Sequence, residues 1–124
     1  FESGFLSLTI PQNSSVMLGS LSGNQLGIWV AHGEGRFELP RPLTDYHVAA
    51  TYSYHGYPAN PNGSDGDVAA LCSADGRHLV MMPHLERAIF PWQMAVYPDH
   101  RQNDDVTPWM EAFVNARVWC EQHR

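Results

Sequence analysis

Residues 68–82 read VAALCSADGRHLVMM, two apolar runs of strand composition separated by a short polar stretch. The polar stretch, Ser73–Arg77, contains an Asp-Gly pair, which readily adopts the positive backbone angles that a tight turn requires. The sequence therefore predicts a β-hairpin that joins a strand over Val68–Cys72 to a second strand over His78–Met82. Strands joined by a tight turn run antiparallel, so we expect an antiparallel pair here.

Three other runs have strand composition, and all of them precede the hairpin in the chain. They are Phe5–Ile10, Leu26–Val30 and His47–Tyr52. The first ends at Pro11 and the second is followed by the His32-Gly33 turn, and both features interrupt a strand. A predominantly β arrangement is therefore expected before the C-terminal region.

One helix is predicted near the C-terminus, over Met110–Gln122. Apolar residues recur with helical spacing at positions 109, 110, 113 and 114, which predicts an apolar helix face. Pro108 is acceptable in a first helical turn, and Cys120 is expected on the helix surface.

Composition narrows the classes of function. The 124 residues are one domain in length, and no apolar stretch approaches the roughly 20 residues of a membrane span, so a soluble domain without a membrane partner is expected. The formal net charge is −6, with 7 Lys+Arg and no lysine, which argues against a nucleic-acid or anionic-membrane surface. The 2 cysteines have no paired spacing and there is no signal-like leader, which favours a reducing compartment, the cytoplasm.

The predicted hairpin leads into Pro83–Arg87, where a glutamate follows a histidine two residues later. A catalytic nucleophile needs a base that takes its proton, and the base needs a third group that fixes its tautomer and stabilises the imidazolium. Because alternate residues of an extended chain share a face, Glu86 can reach the ring of His84 if the backbone stays extended through Leu85. His84 and Glu86 are therefore candidates for the base and the orienting carboxylate of a triad, although such a pair at a strand end is often only a surface feature.

The stretch Pro83–Arg87 resembles the Pro-His-Pro-Glu-Arg signature of triad-type, class I glutamine amidotransferases, in which the histidine and glutamate complete a Cys-His-Glu triad. Further segments are similar to the glutaminase domain of the large, single-chain phosphoribosylformylglycinamidine synthase family, and they occur in that family's order. These three segments are Trp29–Arg36, Tyr57–Ser64 and Pro108–Arg117. The resemblance covers nearly the whole chain. It implies an α/β fold of the class I glutamine amidotransferase, flavodoxin-like type, represented here by antiparallel strands and a C-terminal helix.

The chain departs from the family pattern in three places. Leu85 stands where the family often has a second proline, and Gly4 stands where relatives often carry an arginine. The family's nucleophilic cysteine sits on a tight elbow upstream of the part that this chain resembles, and no such elbow occurs here. Cys72 is expected in the core and Cys120 on the helix, so neither replaces that nucleophile. The resemblance therefore implies that residues 1–124 are the C-terminal portion of the domain, without the N-terminal half that holds the nucleophile.

The resemblance also implies a reaction. The glutaminase domain hydrolyses glutamine to glutamate and ammonia, with His84 and Glu86 in the triad. The ammonia passes to a separate synthetase region, which uses ATP and Mg²⁺ to amidinate formylglycinamide ribonucleotide in de novo purine biosynthesis. The partners implied are glutamine and the remaining domains of the same polypeptide. Residues 1–124 alone are expected to hold no cofactor, to be inactive and to self-associate through an unpaired sheet edge.

Two other functions remain open at this point. The chain could belong to a different class I glutamine amidotransferase, which would share His84 and Glu86 but should lack the segments 29–36 and 57–64. It could also be a non-enzymatic binding module, in which residues 83–86 form only a strand-end turn. A hydrogen bond between His84 and Glu86 would favour the triad over the module.

The remaining motifs have structural as well as functional interpretations. The Gly-x-Gly turn with His32, Glu34 and Arg36 could simply let two backbones approach, and the roles of these side chains stay open. Asn60–Ser64 is most simply a pair of rigid turns, with a loop that lies against the triad as the alternative.

The aromatic and histidine residues suggest no additional site. Tyr52, Tyr54 and Tyr57 are expected to pack against the sheet edge, although an exposed docking patch is the alternative. The 7 histidines lack the spacing of a zinc site, so no metal is expected, and His78, His100 and His123 are interpreted as surface residues.

Overall fold

The computed structural model describes all residues, 1–124, as one five-stranded sheet, one α-helix and short 3₁₀ turns between them. The strands are β1 (Glu2–Thr9), β2 (Gln25–His32), β3 (His47–Tyr52), β4 (Val68–Cys72) and β5 (Leu79–Met81), and the helix is α1 (Met110–Gln122). The order across the sheet is β2-β1-β3-β4-β5, and every neighbouring pair is antiparallel. The expected antiparallel strands and C-terminal helix are confirmed.

The predicted hairpin is present between β4 and β5. Cys72 pairs with Leu79, and the Ser73 N–H donates to the His78 carbonyl at 3.0 Å. Gly76 has a φ of +75°, and an added Cβ there would collide with the Ser14 carbonyl. Glycine is therefore required at Gly76 by both the turn and its neighbour.

The pairing of β1 with β2 is the longest in the sheet and runs from Glu2 opposite His32 to Thr9 opposite Gln25. The ring of Phe5 lies directly over Gly27, where a Cβ would collide with it, and its edge meets Trp29 at 5.0 Å between ring centroids. The absence of a side chain at Gly27 therefore leaves room for the Phe5 ring.

Trp109 connects the helix to the sheet. It is fully buried at the start of α1, and its indole Nε1–H donates to the Gly27 carbonyl at 2.8 Å. The predicted apolar helix face is only partly correct, because Phe113 and Val114 are 40% and 50% exposed. Ala112 is the buried residue inside the helix, so only the beginning of α1 packs against the core.

Burial of the cysteines and tyrosines corrects the expectations in part. Cys72 is only partly buried, and packs against the core, whereas Cys120 is exposed on α1. The expected packing holds for Tyr52 but is wrong for Tyr54 and Tyr57, which are 64% and 70% exposed. The reason is that Tyr52 ends β3, whereas the other two lie in the loop beyond it.

None of the helical segments has both the length and the apolar character that crossing a bilayer requires.

Candidate active site

The structure brings the two predicted site residues together. His84 Nδ1 and Glu86 Oε1 are 2.7 Å apart, and the side chains are 31% and 58% exposed. The expected route is wrong, because the backbone does not stay extended. Leu85–Arg87 form a 3₁₀ turn, closed by a 3.1 Å hydrogen bond from the Arg87 N–H to the His84 carbonyl. The buried Leu85 anchors this turn and lets Glu86 turn back to the histidine ring.

Two strands fix the backbone around His84. The Met82 N–H donates to the Ala69 carbonyl of β4 at 3.0 Å, which extends the hairpin. The His84 N–H donates to the Trp29 carbonyl of β2 at 2.9 Å in an isolated antiparallel bridge. The loop with the histidine thus spans from one edge of the sheet to the other, a connection that the sequence did not predict.

The electrostatics of the pair favour a glutamate carboxylate. Partial burial would raise the pKa of Glu86, but the His84 hydrogen bond, a backbone N–H and the charges of His84 and Arg87 together hold it below the usual value. A carboxylate only accepts hydrogen bonds, so the Nδ1 of His84 carries the proton that is shared with Glu86. In the neutral ring, Nε2 is then free to accept a proton, as a general base requires.

A shallow cavity of about 390 Å³ lies beside the pair. Its lining is mainly apolar and consists of Met17, Leu79, Met81, Pro83, His84, Leu85, Glu86 and Phe113. Neither cysteine contributes to this lining. The cavity therefore offers a base without an adjacent thiol.

The Gly-x-Gly turn and the Asn60–Ser64 loop bind each other. Asn62 Nδ2 donates to His32 Nδ1 at 2.7 Å and also lies 3.0 Å from the Gly33 carbonyl oxygen. Asn60 and Ser64 are buried, and they close their own loop through hydrogen bonds between the Asn60 amide and the Ser64 backbone. The two segments therefore form one unit at the end of β2.

The three polar residues of the Gly-x-Gly turn separate in the structure. Partial burial, and then the nearby charge of His84, lower the pKa of His32, whereas the charge of Glu2 acts in the opposite direction. Glu34 is exposed, and Arg36 pairs with Glu38 at 2.7 Å, a hydrogen bond that raises the pKa of Arg36. Only His32 belongs to the candidate site.

Sequence reasoning missed two partners of the site, Trp29 and Asn62. Each lies in a segment that the resemblance singled out, but nothing in the sequence specified its contact. Within residues 1–124, no group of three or more His, Cys, Asp or Glu side chains converges in a way that could hold a metal ion.

A family model and individual relatives place this chain among the same group of proteins. The sequence model of the CobB/CobQ-like glutamine amidotransferase domain matches residues 1–120. The probable chloroplastic/mitochondrial phosphoribosylformylglycinamidine synthase of Arabidopsis thaliana is 42% identical over 98% of this chain and 10% of its own length. The phosphoribosylformylglycinamidine synthase of Homo sapiens is 39% identical over 96% of this chain and again 10% of its own length. This chain thus spans about a tenth of the length of these relatives.

A solved structure shows the same fold. The structure of PurLQS from Thermotoga maritima superimposes with a TM-score of 0.67 at 22% identity, over 96% of this chain and 48% of that chain. The antiparallel sheet and C-terminal helix therefore form a known arrangement.

Proposed function

This chain belongs to the CobB/CobQ-like glutamine amidotransferase domain family, and we propose that residues 1–124 supply the histidine and glutamate of a glutaminase site in a phosphoribosylformylglycinamidine synthase. The observation that supports this most directly is the 2.7 Å contact between His84 Nδ1 and Glu86 Oε1, which leaves Nε2 free to act as a base. The names of the relatives favour this synthase over another class I amidotransferase. We further propose that residues 1–124 are the C-terminal portion of the domain.

The proposed reaction has two stages. In the first, His84 Nε2 takes the proton of a cysteine thiol outside these residues, and the sulfur attacks the side-chain amide carbon of glutamine. His84 returns this proton to the departing nitrogen, so ammonia leaves and a glutamyl thioester remains. In the second stage, His84 takes a proton from water, the hydroxide attacks the thioester, and the thiolate is reprotonated as glutamate is released. Glu86 keeps the ring oriented and stabilises the imidazolium in both stages.

The ammonia serves a second reaction in this proposal. A synthetase region of the same longer polypeptide would use it, with ATP and Mg²⁺, to amidinate formylglycinamide ribonucleotide. Residues 1–124 bind neither ATP nor Mg²⁺ in this scheme. The proposed compartment is the cytoplasm, where the free thiols of Cys72 and Cys120 would stay reduced.

Complementation tests the proposal. Residues 1–124 are co-expressed with an upstream half-domain that carries the cysteine elbow, and glutamate release from glutamine is measured. Activity should require both parts, and His84→Ala should lower kcat by at least about 100-fold, because general-base catalysis is lost. Glu86→Ala should also lower kcat, because the imidazole ring of His84 is then no longer held in its orientation. His100→Ala, at an exposed position, is the matched control and should have no effect.

Two results would count against the proposal. One is a well-folded complex without glutaminase activity, and the other is activity that persists in His84→Ala. Either result would favour a non-enzymatic binding role for residues 83–86.

A further inference from the structure

We propose that His32 is a positioning residue of this site, held by Asn62 as an uncharged imidazole so that His84 alone takes up a proton. The inference rests on the proposed glutaminase function. It concerns a side chain that makes no hydrogen bond to the His–Glu pair.

The geometry of Asn62 fixes the tautomer of His32. Asn62 Nδ2 lies 2.7 Å from His32 Nδ1, 3.0 Å from the Gly33 carbonyl oxygen and 3.2 Å from the Gly35 carbonyl oxygen. Carbonyl oxygens only accept, so the NH₂ end of the amide, and not its oxygen, faces all three atoms. His32 Nδ1 must then accept a hydrogen bond, which places the single ring proton on Nε2.

Two contacts couple His32 to the catalytic loop. His32 ends β2, the strand whose Trp29 carbonyl holds the His84 backbone. Gly35 fits closely between the two loops, since an added Cβ would lie 3.1 Å from Met82 Sδ and 3.5 Å from His32 Cγ. Met82 is two residues before His84. A change in the position of His32 therefore acts on the backbone that presents His84.

Partial burial and the charge of His84 favour the neutral form of His32. Burial, followed by the proximity of His84, lowers the pKa of His32, whereas Glu2, its partner across β1 and β2, acts in the opposite direction. The Nε2 atom is buried and has no hydrogen-bond acceptor within residues 1–124. A second imidazolium here would repel the charge that His84 gains when it accepts a proton, so a neutral His32 favours that step.

The first test measures the tautomer directly. Histidine-selective ¹⁵N NMR of the 124-residue chain should show His32 protonated on Nε2, with a titration midpoint below the ordinary value of 6.5. Asn62→Asp replaces the donor with a carboxylate that must accept from Nδ1–H, so the midpoint of His32 should rise by about one pH unit or more. Asn103→Asp adds the same charge at an exposed position and should leave His32 unchanged.

A proton on Nδ1 in the wild-type chain, or an ordinary midpoint for His32, would overturn the inference. The wild-type spectrum decides this point even if Asn62→Asp does not fold.

The second test links His32 to activity. In the complemented enzyme, Asn62→Asp should move the acid limb of kcat/KM to higher pH, towards the midpoint that NMR gives for His32 in this variant, because a charged His32 disables the site. A purely structural role would lower activity equally at every pH. An inactive wild-type complex would refute the proposed function, whereas an active complex whose acid limb does not move in Asn62→Asp would refute only the role of His32.

Discussion

At the scale of a single residue, Tyr52 makes the stability of the protein depend on pH in the alkaline range. Burial raises the pKa of Tyr52 to about 12, from an ordinary value of 10.0. The pKa of Tyr52 is therefore higher in the folded chain than in the unfolded chain. As a result, the contribution of the neutral Tyr52 side chain to the free energy of unfolding is fully present below pH 10 and is lost as the pH rises towards 12. At pH 11 the loss should be about 1.4 kcal/mol.

Urea unfolding at pH 8 and pH 11 checks this prediction. Tyr52→Phe should lose less stability than the wild type between these two values, by about 1.4 kcal/mol. The chain has no lysine side chain, and its other ionisable groups are common to the wild type and Tyr52→Phe, so the comparison isolates the Tyr52 hydroxyl. An equally steep loss in Tyr52→Phe would show that the hydroxyl is not responsible.

The lowered pKa of Glu86 predicts a loss of stability at acid pH. Its folded pKa lies below its ordinary value of 4.5, so its contribution is present above pH 4.5 and is lost as the pH falls through the lower folded value. Glu86→Gln should therefore flatten the loss of stability below pH 4.5, measured by urea unfolding from pH 6 to pH 3. The effect should be small, because the Glu86 side chain is 58% exposed. An unchanged acid slope would contradict it.

The residue scale also shows how much of the site the sequence contains. His84 and Glu86 are neighbours in the chain, so their pairing could be predicted from local geometry, even though a 3₁₀ turn replaces the extended backbone. Asn62 and Trp29 could not be assigned in the same way. Their contacts join segments far apart in the sequence, and only the folded sheet brings them to His32 and His84.

At the scale of elements, the β4–β5 hairpin depends on Gly76. Gly76→Ala should destabilise the protein by at least about 2 kcal/mol, because the positive φ costs about 1 kcal/mol and the methyl group must also displace the Ser14 carbonyl. Gly63→Ala is the matched control, since Gly63 has a φ of +72° but open space around the position of a Cβ. Thermal melts of the two variants separate the collision from the backbone cost. Equal losses would mean that the Ser14 contact is relieved without cost.

Helix α1 shows where periodicity stops being informative. Its bounds, Met110–Gln122, were predictable, but periodicity could not say that only its beginning would pack against the apolar core. Val114→Gln should therefore change the free energy of unfolding by less than about 0.5 kcal/mol, because this residue is 50% exposed. Ala112→Leu should cost about 1–3 kcal/mol through overpacking, because Ala112 is fully buried. Chemical denaturation of both variants tests this prediction. A larger loss of stability in Val114→Gln than in Ala112→Leu would mean that Val114 does belong to a packed apolar face of the helix.

At the scale of the whole molecule, strand order was the least predictable feature. A tight turn specifies that β4 pairs with β5, but the turn chemistry of the sequence does not place β1 between β2 and β3. That arrangement depends on long-range pairing, and β1 meets β3 only through Leu8 and Thr9. The unpartnered outer edge of β5 is a consequence of the same order.

The edge formed by β5 makes self-association testable. Val80, the central residue of β5, is 52% exposed, and an accessible strand edge can pair with a second copy. We expect light scattering to show concentration-dependent association, and Val80→Lys to reduce it, because a lysine on an edge strand opposes pairing. Ala74→Lys introduces the same charge in the exposed turn and should leave association unchanged. If Ala74→Lys reduced association equally, net charge and not the β5 edge would control it, and a monomeric wild type with cooperative unfolding would show that this edge needs no partner.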